Sequence, residues 1–278
     1  MNKLILEARN LRKGYGDREL FFIEFLSVYD GERIGLTGQN GAGKSTLIRA
    51  IAQAVPYAGT LTLDGRRLDE MRSVERAREI GILDQQNEAA YAYSVEEIVR
   101  LGRYAHRRGA LGADPGEEDA VNRALAVTGM EDFRNTSILT LSGGERQRAF
   151  LAQVLAQDPR LLILDEPVNH LDLPYQQAIF ALIGEWLRQP DRAVLSVVHD
   201  LSLARRYGTH ALVLREGECL VQGEAKEALS NRVLREAYGM DVADWMKDLL
   251  GEWKKGKKDP KQKGKIDKKN DKKKSKKS

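Results

Sequence analysis

The 278-residue chain is predicted to be an α/β protein: a mostly parallel sheet at its centre, an N-terminal antiparallel β subdomain with a small sheet of its own, and an inserted α-helical subdomain. Three observations predict this. Residues 161–164 and 193–198 are continuous apolar runs of strand length, the pattern of parallel strands buried on both faces. Residues 4–8, 20–29 and 59–63 alternate or cluster apolar and β-branched residues between turn signals (Gly14, Gly16, Asp30-Gly31, Asp64-Gly65), as short strands and hairpins do. From Val74 to about Gln157 the period is largely helical, interrupted at 81–93 and 108–116, with Val95, Ile98, Val99, Val121 and Leu125 on helix faces opposite charges.

Composition narrows the function. The hydrophobic content of 42% suffices for one large core or two smaller ones. The formal charge of +4 conceals a division: residues 254–278 hold 14 Lys and 3 Asp, which leaves 31 basic and 38 acidic residues in the body. One cysteine, Cys219, excludes an internal disulfide framework and a multi-cysteine metal site, and the four histidines show no zinc-type spacing. Only three apolar residues, Leu4-Ile5-Leu6, precede Glu7, which predicts no signal peptide. No run approaches the ~18 apolar residues of a membrane span.

Taken in order, the first strands are followed by Gly38-Gln39-Asn40-Gly41-Ala42-Gly43-Lys44-Ser45-Thr46, a G-x-x-x-x-G-K-[ST] loop. It lies between the apolar strand Ile34-Gly35-Leu36 and a helix carrying Leu47, Ile48 and Ile51. In such a loop bare backbone N–H groups and the positive end of a helix dipole converge on an anion. This predicts a P-loop NTPase core, with Lys44 reaching the β- and γ-phosphates of a nucleotide and Ser45 ligating Mg2+. Tyr15, in the turn before the second strand, is either a ligand-stacking ring or a surface turn residue. The insert's charges (Glu96, Glu97, Arg100, Arg103, Arg107, Arg108) read mostly as a solvated face.

Ser142-Gly143-Gly144-Glu145 opens a further helix. Ser142 and Glu145 form a capping box, while two glycines in a first turn disfavour helix by up to ~1 kcal/mol each and so suggest that something approaches that backbone. This is a second candidate anion mouth. The strand at 161–164 ends in Asp165-Glu166-Pro167, two adjacent carboxylates whose repulsion a cation and a bound water would relieve. A helix over 175–188 leads to the strand ending at His199-Asp200, where His199 is equally a site residue or a structural one. A hairpin over 211–222 and two short helices over roughly 225–250 follow. Leu229, Val233, Leu234, Trp245, Leu249 and Leu250 are expected to dock those helices on the body.

Together, residues 38–46, Leu141-Ser142-Gly143-Gly144-Glu145-Arg146-Gln147, 161–167, 169–172 and His199 resemble the ATP-binding-cassette (ABC) ATPases over roughly residues 3–240. The resemblance implies one ATPase domain over 1–250, an inserted α-helical subdomain at about 86–158, and a Lys-rich tail at 251–278. It makes 38–46 the Walker A loop holding ATP through Gly38, Asn40, Gly41, Ala42, Gly43, Lys44, Ser45 and Thr46. Ser142, Gly143 and Gly144 belong to the signature, Asp165 closes Walker B in the Mg2+ shell, and Glu166 is the general base. His199 touches the γ-phosphate, Tyr15 stacks on adenine, and Gln85 reaches Mg2+ and couples the site to a partner. Asp84 stands where proline commonly precedes that glutamine, so Gln86 stays open as the coupling residue; Val168 replaces the usual Thr or Ser.

Such cassettes work as head-to-tail dimers, the signature of one copy capping the nucleotide on the other. The stretch 97–106 with 109–112 looks like the importers for iron-siderophores, haem and cobalamin. This implies membrane permease subunits, an extracytoplasmic substrate-binding protein and a place on the cytoplasmic face of the membrane. The alternative is a soluble cassette acting on nucleic acid or ribosomes, but no coiled-coil insert or second cassette is present. A scaffold without turnover is disfavoured by the full set of catalytic groups. The tail is expected to be disordered, either simply solvated or in contact with anionic lipid; without aromatics it is not expected to bind nucleic acid by stacking.

Overall fold

The computed structural model describes residues 2–16, 18–84, 91–107, 112–169 and 171–255, with the backbone alone for Tyr15, Lys254 and Lys255. The chain runs β1 (Leu4–Tyr15), β2 (Arg18–Tyr29), β3 (Arg33–Gly38), α1 (Lys44–Ile51), β4 (Ala58–Leu63), β5 (Arg66–Arg67), α2 (Ser73–Glu79) and β6 (Ile80–Leu83). The insert follows with α3 (Val95–Leu101), α4 (Glu117–Thr128) and α5 (Gly143–Ala156). The core resumes with β7 (Leu161–Asp165), α6 (Leu173–Trp186), β8 (Ala193–Val197), α7 (Leu201–Tyr207), β9 (His210–Arg215) and β10 (Glu218–Glu224), then α8 (Ala225–Ala228), α9 (Asn231–Tyr238) and α10 (Val242–Lys255).

Among the described residues one sheet holds all the strands, in the order β5-β4-β1-β2-β10-β9-β3-β8-β7-β6. The stretch β9-β3-β8-β7-β6 is parallel throughout, as the apolar runs predict. The N-terminal antiparallel strands are not a separate sheet: β10 pairs in parallel with β2 at Glu218↔Phe22 and joins the two parts. β1 continues past the alternating stretch 4–8 to Tyr15, with Asn10 at φ 49 and a register shift at Lys13/Gly14 breaking the alternation that sequence reading relies on. β6 falls where an interruption is predicted. Four residues with a glycine among them carry no period of their own, and the strand is specified by pairing with β7 from Ile80↔Leu161 to Leu83↔Leu164.

Three apolar clusters back this sheet. The first, with Phe21, Ile23, Leu36, Leu47 and Ile51, packs α1 onto the strands; the second, with Val99, Leu125, Leu151, Leu162, Leu164 and Ile183, joins the insert to α6 and the sheet's other face. The third holds α8 and α9 on β9 through Leu229, Val233 and Leu234. The expected docking of the C-terminal segment stops early, because α10 buries Val242 but leaves Trp245 50%, Leu249 45% and Leu250 59% exposed.

The insert's charges are more than a solvated face. Arg103 is buried against Asp114 at 2.7 Å, and its Nη1 donates to the carbonyl of Ala156 at 3.1 Å, tying the segment just after α3 to the end of α5. Arg100 bridges Glu96, Glu117 and Glu118, and Arg134 joins Glu96 at 3.0 Å. α3 starts with a capping box in which Ser94 Oγ accepts from Glu97 N at 3.2 Å.

Candidate functional site

The carboxyl ends of β3, β7 and β8 and the N-terminus of α1 bound an open cleft of about 720 Å³. Asn40, Gly41, Gly43, Lys44, Ser45, Thr46, Glu166 and His199 all line it. The loop leaves β3 through Gly38 at φ 141, where a Cβ would lie 2.1 Å from the carbonyl oxygen of Leu214, so only glycine fits. Gly43 at φ 93 caps α1 with no side chain over it, which leaves the first N–H groups of the helix bare. Ala42 is buried beneath the loop.

Lys44 is 6% exposed and donates from Nζ to the carbonyls of Gly38 at 2.9 Å and Gln39 at 2.8 Å. Burial holds its pKa below the ordinary lysine value, opposed by the charges of Glu166 and Asp165. Ser45 Oγ donates to Asp165 Oδ1 at 3.4 Å. Asp165 is buried, and burial first, then the charges of Glu166 and Asp84, push its carboxyl above the usual range. A hydroxyl and a buried carboxylate converging beside a phosphate loop suit Mg2+, which takes few protein ligands and fills its octahedron with phosphate and water. Among the described residues no cluster of three or more His, Cys, Asp or Glu offers a dedicated protein cage.

Glu166 sits at φ 54, in the left-handed region that costs a non-glycine residue ~1 kcal/mol or more. Its Oε1 contacts His199 Nε2 and its Oε2 accepts from Asn169 Nδ2 at 2.7 Å. A carboxylate held from both sides at the cleft wall can polarise a water against a bound phosphate.

Ser142, Gly143 and Gly144 do not line this cleft. They open α5 at a separate, exposed mouth, with the predicted capping box formed: Ser142 N donates to Glu145 Oε2 at 2.8 Å. Gln85 and Gln86, residues 109–111, His170 and 256–278 lie outside the described residues, as does the side chain of Tyr15, whose backbone ends β1 opposite Arg18.

Several contributors escape sequence reading. Arg18 and Leu20, at the start of β2, form a wall of the cleft. Tyr238 of α9 reaches under the phosphate loop, where its hydroxyl bonds Thr37 Oγ1 at 2.9 Å and accepts from Gly38 N at 3.1 Å. No local signal marks it, since its partners lie some 200 positions away along the chain.

A phosphate loop at a helix N-terminus, a metal-suited pair and a held carboxylate beside an imidazole define a nucleotide-hydrolysing P-loop protein. The chain belongs to the ABC transporter family, whose profile matches residues 25–169, and it is the ATP-binding, ATP-hydrolysing cassette of such a transporter. It is 36% identical over 236 residues to the ferric enterobactin transport ATP-binding protein of Escherichia coli (strain K12), covering 84% of this chain and 87% of that one. With the hemin import ATP-binding protein of Jannaschia sp. (strain CCS1) it shares 39% over 217 residues, covering 75% and 78%. A dimeric ATP-binding cassette in a post-hydrolysis state with ADP and Pi matches the fold with a TM-score of 0.69 at 24% identity, covering 80% of this chain and 99% of that one.

Proposed function

We propose that this chain is the ATPase subunit of an importer for iron-siderophore, haem or cobalamin, lying on the cytoplasmic face of a membrane and bound to permease subunits that an extracytoplasmic binding protein supplies. Two copies face each other head to tail around two ATP. The observation that carries the reading is the pair of separate mouths: the phosphate loop with Lys44 in the cleft, and the exposed start of α5 outside it, free to cap a nucleotide held elsewhere. The import function and its substrate class are supported by the names of the relatives, which transport ferric enterobactin and import hemin. Among the described residues no helix is long and apolar enough to cross a membrane.

Within each site the N–H groups over 40–46 and the Lys44 ammonium would hold the phosphates, Tyr15 would stack on adenine, and Ser45 and Asp165 would hold Mg2+, with Gln85 or Gln86 reaching it. When bound, the ion neutralises charge on the β- and γ-phosphates. Glu166 orients the attacking water and takes its proton; His199 fixes that carboxylate and meets the γ-phosphate; Gly143 and Gly144 of the other copy cap it. The Lys-rich tail is either simply solvated or in contact with anionic lipid headgroups, a contact worth about 1 kcal/mol per lysine near the surface.

Affinity purification from solubilised membranes tests the importer. A polytopic permease should accompany the chain and stimulate its ATPase activity; stimulation by RNA or DNA instead would replace this reading with a nucleic-acid one. Lys44→Ala should lose most ATP affinity in a titration. If the tail contacts lipid, deleting residues 256–278 should abolish low-salt co-sedimentation with phosphatidylserine vesicles, and unchanged co-sedimentation discards the lipid contact.

A further inference from the structure

Gly143 and Gly144 are small for different reasons. A Cβ on Gly143 would meet nothing within 4 Å, whereas one on Gly144 would lie 3.3 Å from the ring carbons of Tyr175. Tyr175 stands in the first turn of α6, the helix entered shortly after the chain leaves Glu166. The same ring receives Arg148, one turn along α5 from Gly144, with its guanidinium 5.4 Å from the ring centroid. Arg148 is anchored in turn by donation from Nη1 to the carbonyl of Thr128 at 3.4 Å. Between these residues Gln147 Nε2 donates to the carbonyl of Pro167, the residue after Glu166, at 3.2 Å. The first two turns of α5 are therefore fastened twice to the segment leaving the strand end, by the Gln147 amide at Pro167 and by the Tyr175 ring beside Gly144 and Arg148.

We propose that Tyr175 is a positioning residue for the signature mouth: its ring sets the angle at which the Gly143 and Gly144 N–H groups meet the nucleotide on the other copy. The proposal rests on the head-to-tail reading above. In that reading, a shift of the strand end after hydrolysis moves Pro167 and α6, and Tyr175 transmits the movement to the mouth serving the opposite site. Hydrogen-bond strength falls steeply as the donor turns away from its acceptor, so a small tilt of this turn changes the grip on a phosphate. The atoms nearest the position of a Cβ on Gly144 are ring carbons, so the positioning is assigned to the ring rather than to the hydroxyl. Tyr175 is not among the residues that line the cleft of the same copy.

The test uses the Glu166→Gln chain as parent, with Tyr175→Ala and Tyr175→Phe added in turn. Three quantities are read: the ATP concentration for half-maximal dimer by sedimentation, the affinity of dilute monomer for trinitrophenyl-ATP, and the thermal midpoint. Tyr175→Ala should raise the first by about tenfold while leaving the second within about twofold. Tyr175→Phe should restore dimerisation. If Tyr175→Ala melts markedly lower, Tyr175→Leu carries the same comparison with apolar bulk retained. Dimerisation of the alanine chain at the parent's ATP concentration overturns the proposal, as does an equal loss of monomer affinity or a phenylalanine chain that behaves like alanine. A parent that never dimerises with ATP overturns the head-to-tail reading itself, and this assignment with it.

Discussion

His199 Nε2 contacts Oε1 of Glu166 while Asn169 holds the other carboxylate oxygen at 2.7 Å, so the carboxylate is fixed at both ends. The backbone beneath it is in the left-handed region at φ 54, and strain of that kind persists only where surroundings enforce it. Glu166→Gln keeps the shape and most of the hydrogen bonding but cannot accept a proton from water. Turnover should fall by about a hundredfold or more, with ATP binding and ATP-dependent dimerisation retained. Single-turnover phosphate release decides it, and release at the parental rate removes Glu166 as the base.

Tyr238 supports the phosphate loop from the far end of the chain. Tyr238→Phe removes the hydroxyl that accepts from Gly38 N, and a buried donor left unpaired costs about 1–3 kcal/mol. Nucleotide affinity is expected to weaken by about threefold to tenfold, alongside a lower melting temperature. A lower melting temperature with unchanged affinity would confine Tyr238 to holding α9 against the sheet.

What could be read from the sequence divides along the range of the interactions involved. The phosphate loop, the buried run into Asp165-Glu166 and the strand ending at His199 were legible because each motif and its flanking strand or helix lie within about a dozen residues. The capping box at Ser142 and Glu145 is local too, and it forms as predicted. Tyr238 beneath Gly38, Tyr175 against Gly144 and Arg103 with Asp114 were not legible. Each is an ordinary residue type whose meaning comes from a partner that folding brings close. β6 was hidden for a related reason: its strand character is supplied by the neighbouring β7. The paired glycines suggest a close approach to the backbone, and at Gly144 that approach comes from this chain's own Tyr175.

The Arg103–Asp114 pair makes the insert acid-sensitive. The hydrogen bond from Arg103 holds the Asp114 carboxyl below its ordinary value against the opposing effect of burial, and the Gly116 N–H adds to it at 3.1 Å. A depressed acid binds its proton less tightly folded than unfolded. Its contribution is therefore present above the unfolded value near pH 4 and is lost as pH falls through the folded value. Asp114→Ala, which leaves a buried guanidinium without its carboxylate, should cost about 3 kcal/mol at neutral pH. Asp114→Asn should flatten the acid limb of stability below about pH 4. Urea unfolding across that range checks both, and an unchanged acid limb would assign the acid sensitivity to other carboxylates.

Gly143 offers the cleanest separation of folding from function. Because a methyl there would meet nothing within 4 Å, Gly143→Ala should fold normally, and in a helix's first turn alanine is favoured over glycine by up to about 1 kcal/mol. The dilute chain should bind ATP as before, since this mouth lies outside the cleft proposed to hold the nucleotide. The same methyl would stand in the path of a phosphate approaching from a second copy. Turnover and ATP-dependent dimerisation should therefore each fall by about tenfold or more while the melting temperature holds or rises. Parallel melting, nucleotide titration and steady-state phosphate release make the comparison. A Gly143→Ala chain that hydrolyses ATP at the parental rate would mean that no nucleotide is gripped at this helix start, and the opposed-mouth arrangement would have to be abandoned.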